Sequence, residues 1–105
     1  MGRPKYRWWS FALNMVKAYP ALCTMKKPSC DDLRERDAVQ AAINATLHID
    51  QGEQRIELIR SVYWGKRKQN IDDVSAQLDI DPTVADRWHG DFIRQVGKYW
   101  GFDIT

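Results

Sequence analysis

The sequence predicts an all-α domain of about five helices with a helix-turn-helix near its C-terminus. Apolar residues recur at intervals of three and four positions along most of the 105-residue chain, and no segment alternates as a β-strand does. Residues 71–89, IDDVSAQLDIDPTVADRWH, have the pattern of two short helices joined by a tight turn. Together these observations predict a small helical bundle that ends in an extended recognition helix.

The first helix is predicted over residues 7–19, where two neighbouring apolar stripes form one broad face. The stripes are Trp9, Leu13 and Val16, and Trp8, Ala12, Met15 and Tyr19. A face this broad favours burial over a position on the surface. Pro20 is expected to end the helix because proline lacks the N–H that a helix interior needs. Residues 20–32 are then expected to form an irregular connection.

The second helix is predicted from about Asp32 to Leu47 and the third from Glu53 to Trp64, with a short turn between them. Their expected core positions are Ala38, Val39, Ala42, Ile43 and Leu47, and Ile56, Ile59, Val62 and Tyr63. These positions follow the helical period. Gly65 is expected to end the third helix, and a basic loop over residues 66–68 follows it.

The helix-turn-helix is predicted from five apolar positions, Val74, Leu78, Ile80, Ala85 and Trp88. Ala85 is small, as a close crossing of two helices requires. The second helix of this motif is expected to continue through residues 90–100 and to stop at Gly101. The structural alternative is an ordinary helical hairpin in a small bundle.

Capping residues set the ends of these two helices. Asp81 is expected to cap the second motif helix, and Pro82 is expected to occupy its first turn. Asn70 with Asp73 resembles a capping arrangement for the first motif helix. Asp79 stands in the turn where glycine is usual, and aspartate tolerates the left-handed conformation better than most residues.

Positive charge is concentrated at the N-terminal end of the chain. Residues 1–30 carry six bases and no acid, residues 31–64 carry seven acids against four bases, and residues 65–105 carry seven acids against six bases. The half with the helix-turn-helix is therefore not basic, which argues against strong nonspecific DNA binding by that half alone. We expect residues 1–30 to form a basic arm and an aromatic helix with its loop, and residues 31–105 to form the helical domain.

Several other properties follow from composition. No apolar run is long enough to span a bilayer and no signal-peptide pattern is present, so we expect a cytoplasmic protein without membrane contact. Cys23 and Cys30 lack the close spacing of a typical zinc site, and reduced thiols are the simpler interpretation. We expect no metal, no cofactor and no enzymatic activity.

The outer face of the second motif helix is the predicted DNA-reading surface, since Ala85 and Trp88 turn the opposite face inward. The predicted contacts on this helix are Pro82, Thr83, Asp86, Arg87, Gly90 and Arg94. Arg87 is the best candidate for reading a base, because a guanidinium binds the O6 and N7 atoms of guanine with two hydrogen bonds. The alternative for Arg87 is a surface ion pair with a neighbouring aspartate.

Phosphate contacts are predicted at Lys66, Arg67, Lys68 and Ser75. The three bases precede the first motif helix, where the chain passes the DNA backbone in many such domains. A solvated loop is the alternative for them. An arm with Arg3, Lys5 and Arg7 is a further place for phosphate contact, or else a basic terminus without that role.

From Glu53 onward the chain is similar to region 4 of sigma-70-type factors, through QRIELIRSVYWG and the helix-turn-helix that follows. Over residues 35–102 it resembles phage regulators of the RinA/ArpU type. The matching segments are ERDAVQAAINAT (35–46), IELIRSVYW (56–64) and DPTVADRWHGDFIRQVGKYWGF (81–102). The resemblance implies a sequence-specific DNA-binding regulator of a phage or prophage that activates late transcription from double-stranded DNA.

Two other functions are compatible with the sequence. One is an adaptor that binds host RNA polymerase or another regulator, which the acidic balance after residue 30 favours. The other is a small terminase-like DNA-packaging protein, although the sequence shows no dedicated oligomerisation segment. A homodimer formed through the aromatic first helix would suit a two-fold operator. Packing of that helix on its own chain, beside Trp100 and Phe102, is the alternative.

Overall fold

The computed structural model describes residues 7–67 and 69–102. These contain five α-helices: α1 (Arg7–Thr24), α2 (Cys30–Leu47), α3 (Gly52–Ile59), α4 (Ile71–Gln77) and α5 (Pro82–Trp100). A π-helical turn over Arg60–Trp64 continues α3. No strand occurs in the described ranges, so the predicted all-α class is confirmed. Within the same ranges, no helix is long and apolar enough to cross a membrane.

The main core lies where α1, α2, α3 and α5 meet. Its buried side chains are Ala12, Met15, Val16, Val39, Ala42, Ile56, Ile59, Phe92, Ile93 and Val96. Partly buried aromatic rings surround them, including Trp8, Trp9, Tyr19, Trp64 and Trp100. The apolar face predicted for α1 is therefore confirmed. On α2 the prediction is wrong at Leu47, which is 45% exposed.

Pro20 does not end α1, contrary to the prediction, and the helix continues to Thr24. A proline inside a helix leaves the carbonyl four residues earlier without a donor. In α1 that carbonyl belongs to Val16, and the indole Nε1–H of Trp64 donates to its oxygen over 2.7 Å. A hydrogen bond from another helix thus replaces the missing one, and the connection predicted over residues 20–32 shortens to residues 25–29.

A capping box starts α2 at Cys30, earlier than the predicted Asp32. The hydroxyl of Ser29 accepts a hydrogen bond from the Asp32 N–H over 3.1 Å, and the Asp32 carboxylate accepts one from the Ser29 N–H over 2.9 Å. This pairing satisfies two backbone donors that a helix N-terminus leaves free. Cys23 and Cys30 are free thiols, both exposed, near the two ends of the connection.

The turn between α2 and α3 depends on a glycine. A Cβ on Gly52 would lie 2.3 Å from the carbonyl oxygen of Thr46 and 2.8 Å from the Cα of Leu47. Gln51, just before it, has a left-handed φ of 59°. Only glycine permits this close backbone approach. Helix α3 starts at Gly52, one residue before the predicted Glu53.

The aromatic residues of α1 pack on their own chain. The ring of Phe11 lies 5.4 Å from that of Trp100 and 5.6 Å from that of Phe102. Packing of α1 on its own chain was the alternative to a homodimer formed through this helix. The homodimer remains a prediction, and the packing of Phe11 gives it no support.

Candidate nucleic-acid interface

Helices α4 and α5 form the predicted helix-turn-helix around a second core. Its buried residues are Leu58, Val62, Val74, Ala85 and Trp88. Leu78 and Ile80 pack against them half-buried. The five positions predicted from the sequence therefore all face inward, and α3 with its π-helical turn supports the motif from behind.

Local hydrogen bonds hold the turn and both helix starts. Asn70 accepts from the Asp73 N–H over 2.7 Å and Asp81 from the Thr83 N–H over 2.8 Å, which confirms both predicted caps. Asp79 has a φ of 57°, the left-handed conformation expected at this position. The start of α5 is thus set at Pro82.

Arg87 lies exposed on the outer face of α5, in the second turn. Its guanidinium has no ion pair or hydrogen bond with any residue in ranges 7–67 and 69–102. Arg60, by comparison, pairs with Glu57 over 2.7 Å. Arg87 therefore does not form the ion pair with a neighbouring aspartate that was the alternative. Its N–H donors are available to a ligand. Pro82 and Thr83, one turn earlier, are exposed as predicted.

Asp91 is the one carboxylate of α5 that two arginines neutralise. Its oxygens lie 3.6 Å from the guanidinium of Arg55 and 3.4 Å from that of Arg94. Arg55 also lies over the Trp88 ring, 5.2 Å from its centroid. An exposed ion pair contributes only about 0–1 kcal/mol, so Arg94 remains available for an outside contact.

The rest of the motif surface is acidic. Five exposed carboxylates, Asp72, Asp73, Asp79, Asp81 and Asp86, form no ion pair within the described residues. Residues 69–91 contain six acids and a single base, Arg87. Such a surface opposes the approach of phosphates, so any DNA contact by α5 needs help from a neighbouring positive surface.

Two predicted contacts are wrong, because tertiary packing covers them. Ser75 is fully buried and its hydroxyl donates to the carbonyl of Asp72 over 2.8 Å, so it cannot reach DNA. Gly90 is buried beneath α1, and a Cβ on it would lie 3.8 Å from the Trp9 ring. The helix-turn-helix pattern predicts that Gly90 faces outward. It does not predict that α1 packs over this position.

His89 and Tyr63 join three elements beside this contact. The Tyr63 hydroxyl and His89 Nε2 lie 2.6 Å apart, and the His89 ring meets Trp9 edge-on with 6.2 Å between centroids. Burial lowers the pKa of His89, while nearby Asp86 raises it. Burial also raises the pKa of Tyr63 to about 12. A neutral imidazole and a neutral phenol therefore hold α1 and the π-helical turn against α5.

Two of the three predicted phosphate contacts in the basic loop lie on the surface. Lys66 and Arg67 are exposed, and Lys68 lies outside the described residues. Arg67 borders an open cleft of about 620 Å³ that Asn70 and Asp73 also line. The loop is therefore next to the start of α4, as the sequence predicted.

A residue that sequence reasoning missed is Lys17 of α1. It is exposed and lines an open cleft of about 660 Å³ together with Leu13, Asn70 and Asp86. The available signal was spacing, since Leu13 and Lys17 follow Trp9 at four-residue steps along one side of a helix. Their position beside the motif helices depends on the tertiary fold.

Among the residues that the structure describes, no group of His, Cys, Asp and Glu is arranged to hold a metal ion. In comparisons with known proteins, the chain matches no protein-family model, no curated protein and no solved structure.

Proposed function

We propose that this protein is a sequence-specific DNA-binding regulator of transcription, with α5 in the major groove and Arg87 reading a guanine. The observation that carries the proposal is the exposed guanidinium of Arg87, which has no partner among residues 7–67 and 69–102. It lies on a helix whose inner face is buried through Ala85 and Trp88. Guanine presents two acceptors in the major groove that match a guanidinium fork. The protein acts by binding, in the cytoplasm, rather than as an enzyme.

The dimensions of α5 suit this role. At about 1.5 Å per residue, its 19 residues span about 28 Å. The first two turns carry Thr83 and Arg87 on the outside, whereas the second half is held in the main core through Phe92 and Val96. A protruding helix start enters a groove about 12 Å wide, while the anchored half sets its angle.

The resemblance to RinA/ArpU-type regulators extends the proposal to a phage or prophage protein that activates late genes. Such a protein would act at a promoter. This extension rests on the resemblance over residues 35–102 and is tested separately, by footprinting on the promoters of the adjacent genome segment.

Selection from a pool of random duplexes at low salt tests the proposed DNA binding. We expect one enriched sequence containing a guanine, and a loss of affinity of about fivefold to 100-fold in Arg87→Ala. Arg36→Ala is the matched control, because Arg36 lies on α2 and pairs with Asp37 over 3.6 Å. A pool that shows no enrichment after repeated rounds contradicts the proposal.

The acidic motif surface favours a second function, an adaptor that binds a basic surface of host RNA polymerase. A cleft of about 390 Å³ beside the turn is lined by Leu78, Ile80 and Val84 together with Glu57, Asp79 and Arg87. This function predicts co-purification with polymerase after nuclease treatment, weakened by Asp79→Lys and unchanged in Arg36→Ala. DNA binding without polymerase binding counts against it.

A further inference from the structure

We propose that a polar stripe on α1, made of Arg7, Ser10, Asn14 and Lys17, contacts the DNA phosphate backbone beside the groove that α5 enters. This inference rests on the proposed DNA binding and names the surface that supplies its electrostatic attraction. Contacts by the motif helices alone leave that attraction unexplained, because those helices are acidic.

The position of α1 beside the recognition helix is the first step of the argument. Trp9 packs over Gly90, 3.8 Å from where a Cβ would lie, and its ring meets that of His89. One and two turns further along, Leu13 and Lys17 share a cleft with Asn70, Asp72 and Asp86. Trp9 therefore lies over the middle of α5, and Lys17 lies near the first half of α5 and the beginning of α4.

The stripe itself is the second step. Its residues are spaced by three, four and three positions, so they share one side of α1. All four are exposed, and none forms an ion pair or hydrogen bond within the described residues. From Arg7 to Lys17 the stripe extends about 15 Å, which corresponds to about four phosphates along one strand.

Charge complementarity is the third step. Residues 7–24 contain two bases and no acid, whereas residues 69–91 contain six acids and one base. Arginine, lysine, serine and asparagine are the side chains that usually bind phosphate oxygens. The α1 stripe itself contains no acid, and its Lys17 end shares a cleft with Asp72 and Asp86 of the motif. The DNA backbone is the polyanion that lies along the recognition helix in the proposed complex.

The test measures the salt dependence of binding to a mixed-sequence duplex of about 20 base pairs, because phosphate contacts do not depend on sequence. The full chain with Arg7→Gln and Lys17→Gln is compared with the unchanged chain. Each lost phosphate contact should reduce the slope of log K against log salt by about 0.9, so the pair should reduce it by about 1.8. Lys26→Gln with Lys27→Gln is the charge-matched control, in the connection after α1, and should leave the slope nearly unchanged.

A second variant, Asn14→Asp, adds a carboxylate to the middle of the stripe with almost no change in shape. We expect it to weaken binding at low salt and to have less effect at high salt. If the slope of log K against log salt is the same in the unchanged chain and the Arg7/Lys17 variant, the α1 stripe does not contact phosphates. If Arg87→Ala still weakens binding in that case, the proposed function is unaffected. Absence of binding to any duplex by the unchanged chain would overturn both.

Discussion

The indole of Trp64 donates a hydrogen bond to the carbonyl oxygen of Val16, with 2.7 Å between nitrogen and oxygen. Pro20 lies four residues after Val16, inside α1, and has no N–H to offer that oxygen. The bond therefore links the π-helical turn Arg60–Trp64 to α1 at the point where α1 lacks one of its own. It allows α1 to continue to Thr24.

This relationship predicts strong coupling between residues 64 and 20. Trp64→Phe removes the donor and should lower the free energy of unfolding by about 1–3 kcal/mol, in addition to any loss of packing. Pro20→Ala supplies a backbone N–H to the same oxygen. It should therefore stabilise the Trp64→Phe variant more than it stabilises the unchanged chain, as measured by urea unfolding of all four proteins. Effects that add within about 0.5 kcal/mol would contradict the account.

Gly52 should be the least replaceable glycine among those whose surroundings are described. A Cβ there would lie 2.3 Å from a backbone oxygen, so Gly52→Ala must displace the end of α2. We expect a loss of about 1–3 kcal/mol or more in the free energy of unfolding. Gly65→Ala is the control, because its nearest neighbour would be 3.6 Å from the new Cβ and its φ is −82°. Equal losses in the two variants would refute the backbone clash.

Gly90→Ala should separate a packing role from a DNA-contact role. The new Cβ would meet the flexible end of Arg94 at 3.3 Å and Trp9 at 3.8 Å, and alanine favours a helix interior by up to about 1 kcal/mol. We expect a thermal midpoint that is equal or slightly higher, with unchanged affinity for the selected duplex. A variant that remains stable but loses DNA affinity would contradict this expectation and indicate that Gly90 contacts DNA.

The elements that the sequence predicted best depend on local chemistry. The caps at Asn70 and Asp81, the left-handed turn at Asp79 and the small buried Ala85 all follow from residues within one or two turns of each other. The outer position of Arg87 follows in the same way, because one helical wheel determines it once Ala85 is inside.

The features that sequence reasoning missed depend on partners distant in the chain. Pro20 lies inside a helix because Trp64, 44 positions later, supplies a donor to Val16. Gly90 is covered because Trp9 of α1 crosses it, and Lys17 reaches the motif for the same reason. Periodicity identifies the apolar side of each helix, but it does not identify which helices pack against one another.

His89 predicts a pH dependence of stability. Burial lowers its pKa below the ordinary histidine value of about 6.5, so the unfolded chain binds a proton more readily than the folded chain. The free energy of unfolding should therefore be highest above about pH 6.5 and fall as the pH drops towards the folded-state pKa. Urea unfolding at about pH 7.5 and about pH 5.5 measures the difference, which His89→Gln should reduce.

The central claim is that Arg87 reads one guanine of a DNA site, and a cycle of protein and base changes tests it most directly. Affinities are measured for the unchanged chain and Arg87→Ala on the selected duplex and on its single-base variants. We predict that one guanine change costs the unchanged chain about 1–3 kcal/mol and costs Arg87→Ala almost nothing, while the other positions keep their costs. Equal penalties in both proteins at every position would contradict the claim.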